Sequence, residues 1–182
     1  MHLPNQLTIS ASETIADSLL NDFYTEQAIQ TALTATLEYV DANIKDGLEL
    51  PYFADISNAL WQSKPKALDV YITDAIEGRE INREARGKDY ATNILSYPSE
   101  IPVSVIELMP TIALGELIIC HDVLVREADE QNKSLAQHII HLLIHGILHL
   151  LGFDHELGQA EQNEMERFEI IILEGLGLAN PY

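Results

Sequence analysis

The chain predicts an α+β fold, a small mixed β-sheet packed with about five helices, and three observations predict it. Strand-like runs at residues 68–73, 93–97 and 114–120 lie between helical patterns without a regular strand–helix–strand rhythm. The 182 residues are 47% hydrophobic and 21% charged, which suits a single folded domain over residues 1–182. Residues 134–155, S-L-A-Q-H-I-I-H-L-L-I-H-G-I-L-H-L-L-G-F-D-H, hold five of the seven histidines on one helical pattern and the turn that follows it.

Taken in order, residues 7–10 read as a short edge strand. Ala28, Ile29, Ala32, Leu33, Leu37 and Val40 recur at helical spacing with Thr25 as N-cap, so residues 25–44 form an amphipathic helix. Asp46, Gly47 and Pro51 mark a loop. The strand at 68–73 alternates L-D-V-Y-I-T. A short helix over 78–86 follows and carries a basic cluster, Arg79, Arg83 and Arg86 with Lys88 just beyond; Gly87-Lys88-Asp89 ends it. The strand at 93–97 stops at Pro98, and the third is 114–120. A helix over 123–130 precedes the histidine helix. The last helix, 160–173, buries Met165, Phe168, Ile172 and Leu173.

The histidine helix begins near Ser134, whose hydroxyl and Gln137 have capping-box spacing, and ends near Leu151, before a glycine in C′ position. At 100° and 1.5 Å per residue, His145 and His149 lie roughly 40° and ~6 Å apart, close enough for their rings to converge. The turn at Gly152 brings His155 back toward them. Three neutral imidazoles with a fourth position left open are what a catalytic zinc site needs, at one Zn2+ per chain. The spacing also matches the peptidase motif H-E-x-x-H-x-x-G-x-x-H, except that Gly146 stands where the catalytic glutamate belongs. That substitution favours the metal site and disfavours peptide hydrolysis. His138 and His141 share the same stripe of the helix, where they either orient a ligand or pack in a hydrogen-bonded core.

The formal charge of −19, from 29 acids against 10 bases, lacks the basic footprint usual in nucleic-acid binders, but Arg79, Arg83, Arg86 and Lys88 fall in one ten-residue window and give a local positive patch. The acidic remainder suits solubility or docking on basic proteins. A lone Cys120 excludes an internal disulfide and reads as a buried small hydrophobe. No apolar run reaches the ~20 residues of a membrane span. Met1 to Asn5 lacks the basic start of a signal peptide, so a cytoplasmic protein without membrane association is expected.

Three blocks in order resemble the YbeY family of endoribonucleases that mature ribosomal RNA. Residues 145–155, H-G-I-L-H-L-L-G-F-D-H, look like the family signature. Residues 85–98, A-R-G-K-D-Y-A-T-N-I-L-S-Y-P, are similar to its Y-R-G-K-D-x-P-T-N-V-L-S-F-P, and residues 114–120, L-G-E-L-I-I-C, to its L-G-D-I-V-I-C. The ending Asn180-Pro181-Tyr182 is also similar, so the resemblance covers roughly the last hundred residues. Ala85, Ala91 and Glu116 depart from the usual tyrosine, proline and aspartate; none is a proposed ligand. The resemblance implies a zinc-dependent, single-strand-preferring endoribonuclease with ligands His145, His149 and His155. It implies action on the small-subunit rRNA precursor near its 3′ end and in ribosome quality control. The implied partners are ribosomal RNA and the small ribosomal subunit, with ribosomal proteins or assembly GTPases and without DNA. The family's functional arginine falls on Arg86, a fixed charge able to grip phosphate in a bidentate fork. The general base stays open between Asp154 and an unassigned group. Two other readings are a ribosome-assembly factor with a structural zinc and little catalysis, and a metal-dependent peptidase.

Overall fold

The computed structural model describes residues 4–182. Strand β1 (Gln6–Ala11) is followed by helices α1 (Asp17–Phe23) and α2 (Glu26–Ile44), a 3-10 turn (Pro51–Phe53) and α3 (Asn58–Ser63). Then come β2 (Lys66–Thr73), α4 (Ala75–Arg86), β3 (Ile94–Pro98), α5 (Val103–Ile106) and β4 (Ile112–Cys120). Three helices complete the chain: α6 (His121–Glu130), α7 (Leu135–Leu151) and α8 (Gln159–Gly175).

The sheet has the order β1-β2-β4-β3; β1, β2 and β4 run parallel, and β3 lies antiparallel to β4. It is the small mixed sheet expected, with β1 at an edge. Leu68, Val70 and Ile72 of β2 face the core. In β4 the buried set shifts from Ile112 and Leu114 to Leu117 and Ile119, because the pairing register slips opposite the Ala67–Leu68 step and inserts one residue.

Helix α7 is the centre of the packing. It contacts α2, α6 and α8 as well as β3 and β4, and Ile139, Leu143, Ile144, Ile147, Leu148, Leu150 and Leu151 on it are almost wholly buried. Each such side chain taken from water contributes about 1.5–3 kcal/mol, which fixes the helix rigidly before any polar group is considered. A Cβ added at Gly146 would lie 2.7 Å from Ile94 Cδ1 and 2.8 Å from Leu117 Cδ2, so a larger residue there would push these side-chain ends aside where α7 packs on β3 and β4.

Among the described residues there are eight helices rather than about five. The additional three, α1, α3 and α5, have seven, six and four residues, too few turns to display a helical period. Helix α1 buries none of its residues. Helix α3 is held by Trp61, whose indole N–H donates to Asp41 of α2 at 2.7 Å. Helix α4 starts at Ala75 instead of 78 because the Asp74 carboxylate caps it, accepting from the amides of Ile76 and Glu77 at 2.9 Å. Cys120 is buried at the end of β4.

No single helix among the described residues is long and apolar enough to cross a membrane; α6 and α7 reach that hydropathy only as a pair bent by 116°. The stretch Met1 to Asn5, read above for a leader, lies partly outside the described residues.

Candidate metal centre

Local sequence builds the site from both ends of α7. Ser134 Oγ accepts from the Gln137 amide at 3.2 Å and starts the helix. Gly152 ends it in the left-handed region, φ 102°, with its amide on the His149 carbonyl and the Phe153 amide on that of Leu148 at 3.1 Å. Phe153 is buried against Phe168 of α8, and this folds the next residues back along the helix. His155 thereby meets the last two turns of α7. The nitrogens of His145, His149 and His155 all lie within 4.8 Å of one another, a cluster able to hold a metal ion.

The donor chemistry fits such an ion. His145 Nδ1 hydrogen-bonds Glu169 Oε1 of α8. Burial alone would raise the Glu169 carboxyl, but the nearby His141 imidazole, the hydrogen bond with His145 and the Tyr182 hydroxyl bring it down to about 2. An ionised carboxylate only accepts, so His145 carries its proton on Nδ1 and Nε2 keeps a lone pair. That lone pair points at His149 Nε2, 3.1 Å away. Burial, with repulsion from His145 and His155, holds the His149 imidazole down to about 4, so it is neutral at pH 7 and available as a ligand.

His138 and His141 divide between the two roles left open for them. His138, buried, joins Glu127 Oε2 of α6 at 2.9 Å and belongs to the core. His141 Nε2 lies 3.7 Å from Glu169 Oε2, on the carboxylate that orients His145, and burial lowers its pKa.

The histidine cluster opens on a cleft of about 540 Å³ whose wall includes Arg86, Lys88, Asn93, Asp154 and Glu156. Arg86 comes from the end of α4, and its Nη2 sits 3.3 Å from Glu156 Oε1. Asp89, close by in sequence, takes Arg79 instead, at 2.6 Å. Of the four clustered bases, Arg86 and Lys88 therefore face the cleft while Arg79 is neutralised away from its wall. Asp154 Oδ1 accepts from the Glu156 amide at 2.8 Å, which makes it a turn-forming carboxylate that also lines the cleft.

Glu169, Glu156 and Tyr182 are site residues that sequence reasoning missed. Glu169 left a signal: it lies four residues after Met165 and three before Ile172, inside the apolar stripe of α8, where a charge requires a partner. Tyr182, whose hydroxyl donates to Glu169 Oε2, showed only as part of the family-like ending, and Glu156 left no signal.

A family model described as endoribonuclease YbeY matches residues 17–177, far more than the last hundred residues in which the resemblance was legible. The endoribonuclease YbeY of Psychrobacter cryohalolentis is 68% identical over 152 residues, 84% of this chain and 98% of that one. That of Psychrobacter arcticus is 72% identical over 139 residues, 76% of this chain and 68% of that one. The solution structure of TM1509 from Thermotoga maritima shares the fold, with a TM-score of 0.50 at 19% identity over 94% of this chain and 92% of that one. The α+β architecture, the histidine cluster and these matches have one conclusion: the chain belongs to the endoribonuclease YbeY family.

Proposed function

We propose that the protein is an endoribonuclease that matures ribosomal RNA in the cytoplasm, cutting the small-subunit precursor near its 3′ end and serving ribosome quality control, with residues 1–182 as one catalytic domain. The observation that supports this best is the convergence of three imidazoles and Arg86 on one open cleft. His145, His149 and His155 would hold one Zn2+, which when bound supplies Lewis acidity toward phosphate oxygens. The chain itself supplies the rest. Glu169 fixes the His145 tautomer, and Arg86 receives the phosphate and stabilises the negative charge that builds on it in the transition state. Its contact with Glu156, at 3.3 Å to a carboxylate 63% exposed, is weak enough for a phosphate to displace.

Three protein donors beside a cleft suit chemistry better than a structural zinc, which takes four. The peptidase reading lacks its base, because Gly146 stands where that motif has its glutamate. Ribosomal RNA and the small ribosomal subunit are the partners this reading implies, with ribosomal proteins or assembly GTPases beside them, and an acidic body of net charge −19 suits docking on basic proteins.

Arg86→Lys tests the assignment. The variant should keep full zinc content and melting temperature and lose roughly a hundredfold in cleavage of single-stranded rRNA, since an ammonium cannot reproduce the planar fork. Near-normal cleavage would reduce Arg86 to a surface charge.

A further inference from the structure

Two tyrosines line the metal cleft with their rings largely in solvent: Tyr52 is 58% exposed and Tyr90 53%. An aromatic side chain left in water forgoes the stabilisation that burial would give it. The backbone under each is nevertheless held firmly. The Tyr90 carbonyl accepts from Nδ2 of Asn82 at 2.7 Å, and Asn82 is fully buried on α4. Tyr52 lies in the 3-10 turn, whose next residue, Phe53, is buried with its ring 5.3 Å from that of Trp61. The same turn is pressed against the end of α7, where a Cβ at Gly152 would come within 2.8 Å of the Tyr52 amide nitrogen. Two rigid mounts, from separate loops, thus present aromatic faces to the cleft that also holds Arg86, Lys88 and the three histidines.

We propose that Tyr52 and Tyr90 are base-stacking platforms, binding the nucleobases that flank the phosphate at Arg86, and that they make the cleft select unpaired RNA. This rests on the ribonuclease reading above and adds the residues that choose the substrate's conformation. In a duplex both faces of a base are covered by its neighbours, whereas an unstacked base can lay a face on a tyrosine. Stacking of this kind accepts any base, because every base has a π face, so the platforms discriminate by strandedness and not by sequence. The cationic side chains beside them, Arg86 and Lys88, offer sites for phosphates, while Asp154 and Glu156 on the same wall keep the backbone from settling elsewhere in the cleft.

The test is binding of a short non-cleavable 2′-O-methyl oligouridine to the intact protein, beside an abasic strand of equal length and charge. Wild type should prefer the oligouridine. Tyr52→Ala and Tyr90→Ala should each weaken oligouridine binding about tenfold and leave abasic binding unchanged, while the phenylalanine variants, which keep the ring, should stay within about twofold of wild type. Zinc content and melting temperature should not move, since both rings are exposed. Alanine variants that bind oligouridine as wild type does, or that lose abasic binding equally, overturn the stacking role and leave the nuclease reading intact. Wild-type protein that binds neither strand overturns both.

Discussion

In the N-terminal half of α7, His138 and His141 turn toward carboxylates on neighbouring helices, Glu127 of α6 and Glu169 of α8; in the C-terminal half, His145 and His149 turn their Nε2 atoms toward each other. The four share one stripe of a single helix. His138 Nδ1 and both ring nitrogens of His141 are buried without a hydrogen-bond partner, whereas His145 and His149 line the open cleft. Helical spacing thus supplies adjacency, and the elements packed around the helix decide whether an imidazole is spent on the core or left free for a ligand. The turn at Gly152 completes the distinction by bringing His155 only to the C-terminal half.

The largest expected effect breaks or upholds that division outright. His149→Ala should abolish zinc binding, because two imidazoles do not close the site, while His138→Ala should retain about one zinc per chain after dialysis. Metal analysis that finds equal losses in both variants would dissolve the distinction between the halves.

Glu169 joins the halves, since its two oxygens reach His145 and His141. Glu169→Gln keeps the shape and removes the charge that fixes the His145 tautomer. Zinc affinity should fall by about 10–100-fold, read by competition with a chromogenic chelator. An unchanged affinity would mean that the C-terminal half orients itself without α8.

The reach of the sequence follows the same division. The three clustered imidazoles were legible because one helix and one glycine turn, all within residues 145–155, bring them together. Their carboxylate partners were not, because Glu127 and Glu169 arrive through the packing of α6 and α8, which no local pattern encodes. Arg86 was legible only through family resemblance: a basic helix end says nothing of which cleft it faces. The long elements α2, α7 and α8 announced themselves by period, and α2 and α7 by their caps as well. Helices α1, α3 and α5 did not, since so few residues show no period, and the bulge beside Gly115 depends on a partner strand far away in sequence.

The smallest expected effect concerns acid. In the metal-free protein, burial holds the His149 imidazole at about 4 against an ordinary 6.5. Between those values the unfolded chain carries a proton there and the folded one does not, so stability rises with pH across the window and falls as acid is added. One such site contributes a slope of about 1.36 kcal/mol per pH unit. His141, lowered by burial in the other half, adds in the same direction. Glu169, held near 2 against 4.5, adds its own loss only below about 4.5, because its native carboxylate resists protonation that the unfolded chain accepts. Urea unfolding of the chelator-treated protein at steps from pH 7.5 to 4 should therefore show falling stability, and His149→Ala should flatten the slope between 6.5 and 4 by about one proton. If that variant and wild type run parallel through the window, His149 takes up its proton as readily folded as unfolded, and the imidazoles of the C-terminal half are no more ready for metal than those of a solvated stripe.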